Sequence, residues 1–295
     1  MCMKRGLLSV LCFFFFFSFL YGVSIPFWEI QWKEGIGSTS MGAGAIWGNP
    51  SLLVHTDKWT VGGVTLSSFD GEDEGYVLFG AHVIQPYQYG FAGSMDLSYG
   101  KLMDWDGNND FASFGYSVAG KHESLAWGVR LSTGFFYDAN DPATNAVYGS
   151  ANFGISYSVL PYTHFVINFN APQVVTTVPQ IYAVNAPERF WVGGGIINRT
   201  SLGRAYIGAA SYSRKDDLYM SFHFGGGFRV GFLDWDAAII LKDLYQNIPM
   251  ESIPCSIKVS GSLDFENFSL GVGTEIPFFQ EQTSTRWQLF VQLRW

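Results

Sequence analysis

From about residue 58 to its end, the chain alternates large apolar residues with small or weakly polar ones, and this period of two constrains the fold more than any other feature. From Tyr89 to Tyr99 one face reads Tyr89, Phe91, Gly93, Met95, Leu97, Tyr99, and the other reads Gly90, Ala92, Ser94, Asp96, Ser98. The segments 125–135, 218–230 and 268–276 repeat the pattern, with Trp127, Leu131, Phe222, Phe224 and Val272 against Gly128, Ser132, His223, Gly225 and Gly273. Side chains alternate across a strand, so each segment has an apolar face and a small-residue face. A soluble sandwich would carry Lys, Glu and Thr on its wet face. Here only 14% of residues are charged, 18% are aromatic and 34 are glycine. A lipid-facing exterior around a small-residue interior accounts for both faces. It also meets the demand that every backbone polar group in hydrocarbon be paired, which strands achieve only in a closed barrel.

Fourteen strands are expected, over 58–69, 74–84, 88–100, 110–120, 124–138, 146–160, 163–171, 188–199, 203–213, 217–230, 232–243, 255–265, 267–276 and 284–295. Their connections alternate long and polar (69–74, 101–110, 138–146, 171–188, 213–217, 243–255, 276–284) with tight turns. That asymmetry is the one outer-membrane barrels show, with both termini at the tight-turn end. A miscount by two would keep the alternation, so twelve strands stays open.

Residues 1–24 read as a cleaved secretory signal: Lys4-Arg5, an apolar run from Gly6 to Tyr21 holding five consecutive phenylalanines (Phe13 to Phe17), then Gly22-Val23-Ser24. Cys2 and Cys12 leave with it, and Cys255 alone forms no internal disulfide. The whole chain carries a net charge of −8, without a basic stripe, which excludes nucleic acid as a partner. The last strand sets Trp287, Leu289, Val291, Leu293 and Trp295 on one face. This ending resembles the recognition signal of bacterial barrel-assembly machinery, which implies that machinery and outer-membrane lipid as partners.

Residues 25–57 do not alternate. They are rich in glycine and too apolar for a solvated tail, so they are expected to enter the barrel from the tight-turn end as a plug. The run Gly35-x-Gly37, then Met41-Gly42-Ala43-Gly44-Ala45 and Asn49-Pro50-Ser51-Leu52, resembles the N-terminal hatch of the FadL-type long-chain fatty-acid transporters and their shorter PorV-like relatives. Motif-level likeness covers about residues 35–66, and Ser51 stands where that family has alanine. The resemblance implies an all-β, fourteen-stranded transmembrane barrel with a hatch inside it, at Gly42, Gly44, Asn49 and Pro50. It implies a hydrophobic small-molecule ligand, a long-chain fatty acid or similar, and no cofactor.

Such a transporter needs an apolar capture surface. Loop 171–188, with Val174, Val175, Val178, Ile181 and Tyr182, and loop 244–254, with Ile248 and Met250, are the candidates. The inward face is expected to carry Asp96, Arg130, His164, His223, Arg229, Lys258, Asp264, Glu275, Arg286 and Arg294. These are expected to pair across the lumen and hold the plug; the sharper alternative is that Arg130, Arg229 or Lys258 receives a carboxylate headgroup. The run Asp104 to Asp110 alternates acid and amide oxygens, but Asn109 and Gly115 break the calcium-loop pattern, so a polar turn and no metal is expected. A barrel enzyme would use sets such as His164 with Asn168, or Asp234 with Asp236, yet no Gly-x-Ser-x-Gly elbow is present. The expected function is inward passage of hydrophobic small molecules, with an open porin for polar solutes or a structural, secretion-complex barrel as alternatives.

Overall fold

The computed structural model describes residues 37–69, 75–104, 107–138, 146–176, 191–214, 217–244, 255–278 and 285–295. Fourteen antiparallel strands run β1 (Thr60–Phe69), β2 (Gly75–Gln88), β3 (Phe91–Asp104), β4 (Gly107–His122), β5 (Leu125–Asp138), β6 (Ala146–Leu160) and β7 (Thr163–Thr176). The second half is β8 (Trp191–Arg199), β9 (Gly203–Arg214), β10 (Asp217–Val230), β11 (Leu233–Leu244), β12 (Cys255–Asp264), β13 (Phe268–Phe278) and β14 (Thr285–Arg294). Each pairs with its chain neighbours, and β1 pairs with β14 from Thr60↔Arg294 to Phe69↔Thr285, closing the barrel without an edge. Just below that seam Trp59 and Trp295 exchange backbone hydrogen bonds, each 3.1 Å. The count is fourteen, not twelve.

Side-chain direction follows the sequence pattern. Phe91, Met95, Leu97 and Tyr99 face out, whereas Ala92, Ser94, Asp96 and Ser98 are buried inside; β14 likewise turns Trp287, Leu289, Val291 and Leu293 outward. An apolar belt around a closed sheet is a surface made for hydrocarbon. Strand β1 is inverted: Val64 and Leu66 point inward and are buried, and Gly63, Thr65 and Ser67 lie on the outer face.

At one end the connections are two or three residues, such as Tyr89-Gly90, where Tyr89 has φ 55° and Gly90 φ 91°. At the other end two expectations are corrected. Residues 101–110 are not a ten-residue loop, because β3 and β4 keep pairing to Asp104↔Gly107. Residues 171–176 are strand, so Val174 and Val175 belong to β7 opposite Tyr148 and Val147, and not to a capture loop. Alternation in the sequence stops where a strand leaves hydrocarbon, but backbone pairing does not depend on side-chain polarity and continues. Val178, Ile181, Tyr182, Ile248 and Met250 lie outside the described residues, as do the signal segment and residues 25–36.

Candidate functional site

Residues 37–55 occupy the lumen. They form three short 3₁₀ turns, Gly37–Thr39, Gly42–Ile46 and Pro50–His55, and from Ser38 to Val54 only Gly42 is more than slightly exposed. Irregular backbone can be buried here because its polar groups find partners. Gly44 O accepts from Trp47 N and Gly48 N. Asn49 caps the third turn, its Oδ1 accepting from Ser51 N at 3.1 Å and Ser51 Oγ at 2.7 Å, with Pro50 at the first position, where a missing N–H does no harm. Gly42 sits at φ 59°, a left-handed conformation that favours glycine.

The seat is built from glycines and amides on the wall. A Cβ on Gly154 of β6 would strike Asn49 Oδ1, one on Gly128 of β5 would strike the Pro50 carbonyl carbon and Ser51 N, and one on Gly195 of β8 would lie 2.6 Å from Thr39 Cγ2. Asn152 Nδ2 and Asn168 Nδ2 both donate to Gly48 O, at 2.8 and 2.7 Å. Asn49 Nδ2 donates to Ile167 O at 3.3 Å. On the far side Thr39 Oγ1 and His223 Nε2 are hydrogen-bonded at 3.0 Å. Trp47 meets His82 edge-on, and His55 lies against His164 with ring centroids 4.5 Å apart. Around these contacts Met41, Ile46, Leu52, Leu53 and Val54 pack with Val64, Leu66, Leu78, Ile84, Val166, Ile197 and Phe290 in one apolar cluster.

Asn49 and Pro50 lie in this lumenal segment, with Gly44 inside the second turn and Gly42 at its start. The charges behave otherwise. They pair along the wall, and among the described ion pairs none reaches the plug. Arg130 on β5 crosses β4 at Gly115 to hold Asp96 on β3, with Nη2–Oδ1 at 2.7 Å and Nε–Oδ2 at 3.2 Å. Arg204 on β9 crosses β10 at Gly227 to reach Asp234 at 2.9 Å and Asp236 at 2.7 Å on β11, while Tyr206 Oη donates to Asp236 Oδ1 at 2.6 Å. Arg229 on β10 and Arg294 on β14 both hold Asp264 on β12. Strands are about 4.8 Å apart, so one arginine spans two of them but not the bore of a fourteen-stranded barrel. Glu275 accepts from Ser256 Oγ at 2.7 Å and lies 3.8 Å from Arg286. Lys258 is buried, in register with Glu275 and Ala238. The side chain of Arg229 is 41% exposed at the tight-turn rim, so it does not belong to the inner lumen.

His82, Asn152, Tyr206, Arg204 and the glycine hollows escaped sequence reasoning. Asn168 serves the plug, and Asp234 with Asp236 hold Arg204. His164 Nδ1 is 2.9 Å from Ser158 Oγ, a pair that becomes visible only once the β6–β7 turn brings them together.

No protein-family model and no curated protein matches the sequence. Solved structures do. The monoaromatic hydrocarbon channel CymD superposes with a TM-score of 0.66 at 12% identity, over 88% of this chain and 94% of its own. The Ralstonia pickettii toluene transporter TbuX gives 0.66 at 10% identity, over 89% of this chain and 99% of its own. A Pseudomonas aeruginosa FadL homologue gives 0.56 at 9% identity, over 94% of this chain and 98% of its own.

The chain has the fold of the FadL-type barrels.

At these identities the likeness rests on architecture, a closed antiparallel barrel of fourteen strands, and not on shared side chains. In this chain the bore is occupied by the segment 37–55 just described.

Proposed function

We propose that the protein is an outer-membrane transporter that passes hydrophobic small molecules inward, the segment 37–55 acting as a hatch that leaves its seat to open the route. The observation that carries this reading is the composition of that seat. The plug is held by hydrogen bonds to a few side chains and by apolar packing into glycine hollows, so it can move without breaking a strand pair. The space it vacates is apolar on the side of β14, β1 and β2, where Phe290, Val64, Leu66, Leu78 and Ile84 face the bore. An apolar solute can take over those contacts; a hydrated ion cannot. The inverted polarity of β1 supplies this sector. A general porin needs an unobstructed bore, and the burial of residues 38–54 inside the barrel supports the transporter over it.

Neighbours of the same fold that carry toluene and other monoaromatic hydrocarbons support apolar cargo. Whether fatty acids or hydrocarbons are taken is read from uptake. The mature chain in liposomes is expected to speed entry of toluene and of a medium-chain fatty acid over protein-free liposomes, and not entry of glucose. Faster glucose entry with unchanged toluene entry contradicts the proposal.

A further inference from the structure

The tight turns at one end of the barrel are not built for water. Five of the six carry an exposed apolar or aromatic residue, Tyr89, Tyr162, Leu202, Phe232 and Phe265, with Tyr89 98% and Leu202 75% exposed. Phe232 and Phe265 stack across neighbouring turns, their ring centroids 5.6 Å apart. A single exposed leucine needs no explanation, but apolar residues in five turns of one rim form a surface. The exception is the turn from β4 to β5, which reads Lys121, His122, Glu123 and Ser124. Elsewhere the rim continues the outer belt of the strands: Val230 leads to Phe232, Leu160 to Tyr162 and Phe91 to Tyr89, all exposed.

The height of the belt agrees. Along β3, the first charged residue on the outer face is Lys101, in register with Asp110, whose Oδ1 accepts from Tyr99 Oη at 3.0 Å. This polar group marks the far edge of the hydrocarbon. A strand crosses a bilayer core in about 9–11 residues. Counting about ten back from Lys101 reaches Phe91, the first residue of β3. The near edge therefore falls where the β2–β3 turn begins, which leaves Tyr89 at the level of the headgroups.

We propose that these five turns are seated in the phospholipid headgroup layer on the tight-turn side of the membrane, while the β4–β5 turn stands in water. Tyrosine suits that layer, with an apolar ring and a polar hydroxyl, and the leucine and phenylalanines reach the acyl chains next to it. Strand length beyond one span then projects on the long-loop side, as in β4 with its 16 residues. The inference rests on the barrel lying in the outer membrane and is independent of transport.

The test uses the mature chain carrying Cys255→Ser, in nanodiscs of phosphatidylethanolamine and phosphatidylglycerol with both faces open to solvent. A polarity-sensitive fluorophore is attached after Tyr162→Cys, Leu202→Cys, Glu123→Cys or, in the middle of the belt, Val272→Cys. Heat-modifiable gel mobility shows that each variant is folded. Iodide reports contact with water, and a lipid with a nitroxide on its headgroup reports contact with the membrane surface. Iodide should quench the labels at 162 and 202 at least about threefold less than the label at 123, and the nitroxide should quench them more. Equal iodide quenching at 162, 202 and 123, with 272 protected, overturns the proposal and gives this rim to a protein partner instead. Iodide quenching at 272 as well removes the membrane reading together with the proposal.

Discussion

Asn49 Oδ1 stands where a β-carbon on Gly154 would be. The plug residue and the wall residue are fitted to each other at the level of one methyl group. Gly154→Ala is therefore expected to lift the plug from β5 and β6 and weaken its docking by about 1–3 kcal/mol, the usual range for overpacking. Gly149→Ala on the same strand is the control, because its Cβ would meet nothing closer than Ser132 O at 3.6 Å. Single-channel records should show frequent openings for the first and none for the second. Equal behaviour of the two would mean that the hollow at Gly154 does not seat the plug.

The two amides on Gly48 O share one acceptor. Removing either Asn152 or Asn168 as alanine leaves the carbonyl with a partner and should weaken docking by about 0.5–1.5 kcal/mol. Removing both strands a buried carbonyl, so the double variant should lose more than the sum of the singles. Hydrogen exchange of the amides over 51–55 reads each state. Strict additivity would contradict the shared clamp.

Acid should loosen the plug. His55, at its end, is held neutral, its pKa pushed down to about 4 first by burial and then by His164, Lys121 and Arg199. Undocked, it takes up a proton near its ordinary value of about 6.5. The undocked state therefore binds more protons between these values, and docking weakens as pH falls from about 6.5 towards 4, then levels off. Open probability in a bilayer should rise over that window and rise less in His55→Gln. A His55→Gln channel with the same acid response would place the titration elsewhere.

Asp96 and Arg130 have side chains at most 4% exposed and bond twice. Arg130→Met leaves a buried carboxylate alone and should destabilise the barrel by about 3–5 kcal/mol. The double variant Asp96→Leu/Arg130→Met should recover most of that loss. Urea unfolding from lipid measures both. Since the pair lies within the wall, the folded double variant should keep the plug closed; an open channel would return these charges to the role of holding the hatch.

The barrel was legible in the sequence because hydrocarbon imposes its pattern directly: Trp127, Leu131 and Phe135 alternate with Gly128, Ser132 and Gly134 since one face meets lipid. The lumenal turn was legible at Asn49-Pro50, where a cap and a proline start it. Its seat was not. With 34 glycines in the chain, alternation tells an inward glycine such as Gly154 from an outward one such as Gly149, but not which inward glycine receives a residue of the plug. The ion pairs are not legible in the sequence, because their partners depend on register. Arg204 finds Asp234 and Asp236 only because Gly227 lies between them and presents no side chain. The extent of β3, β4 and β7 was underestimated for a different reason, that pairing outlasts the apolar pattern.

The central claim, a barrel stopped by its own N-terminal segment, is tested most directly by conductance in a planar bilayer. The mature protein is compared with a version lacking residues 25–57. The expected result is a nearly silent intact protein and large, steady conductance after truncation. Large conductance in the intact protein would contradict the hatch, and silence in both would show that something other than residues 25–57 fills the bore.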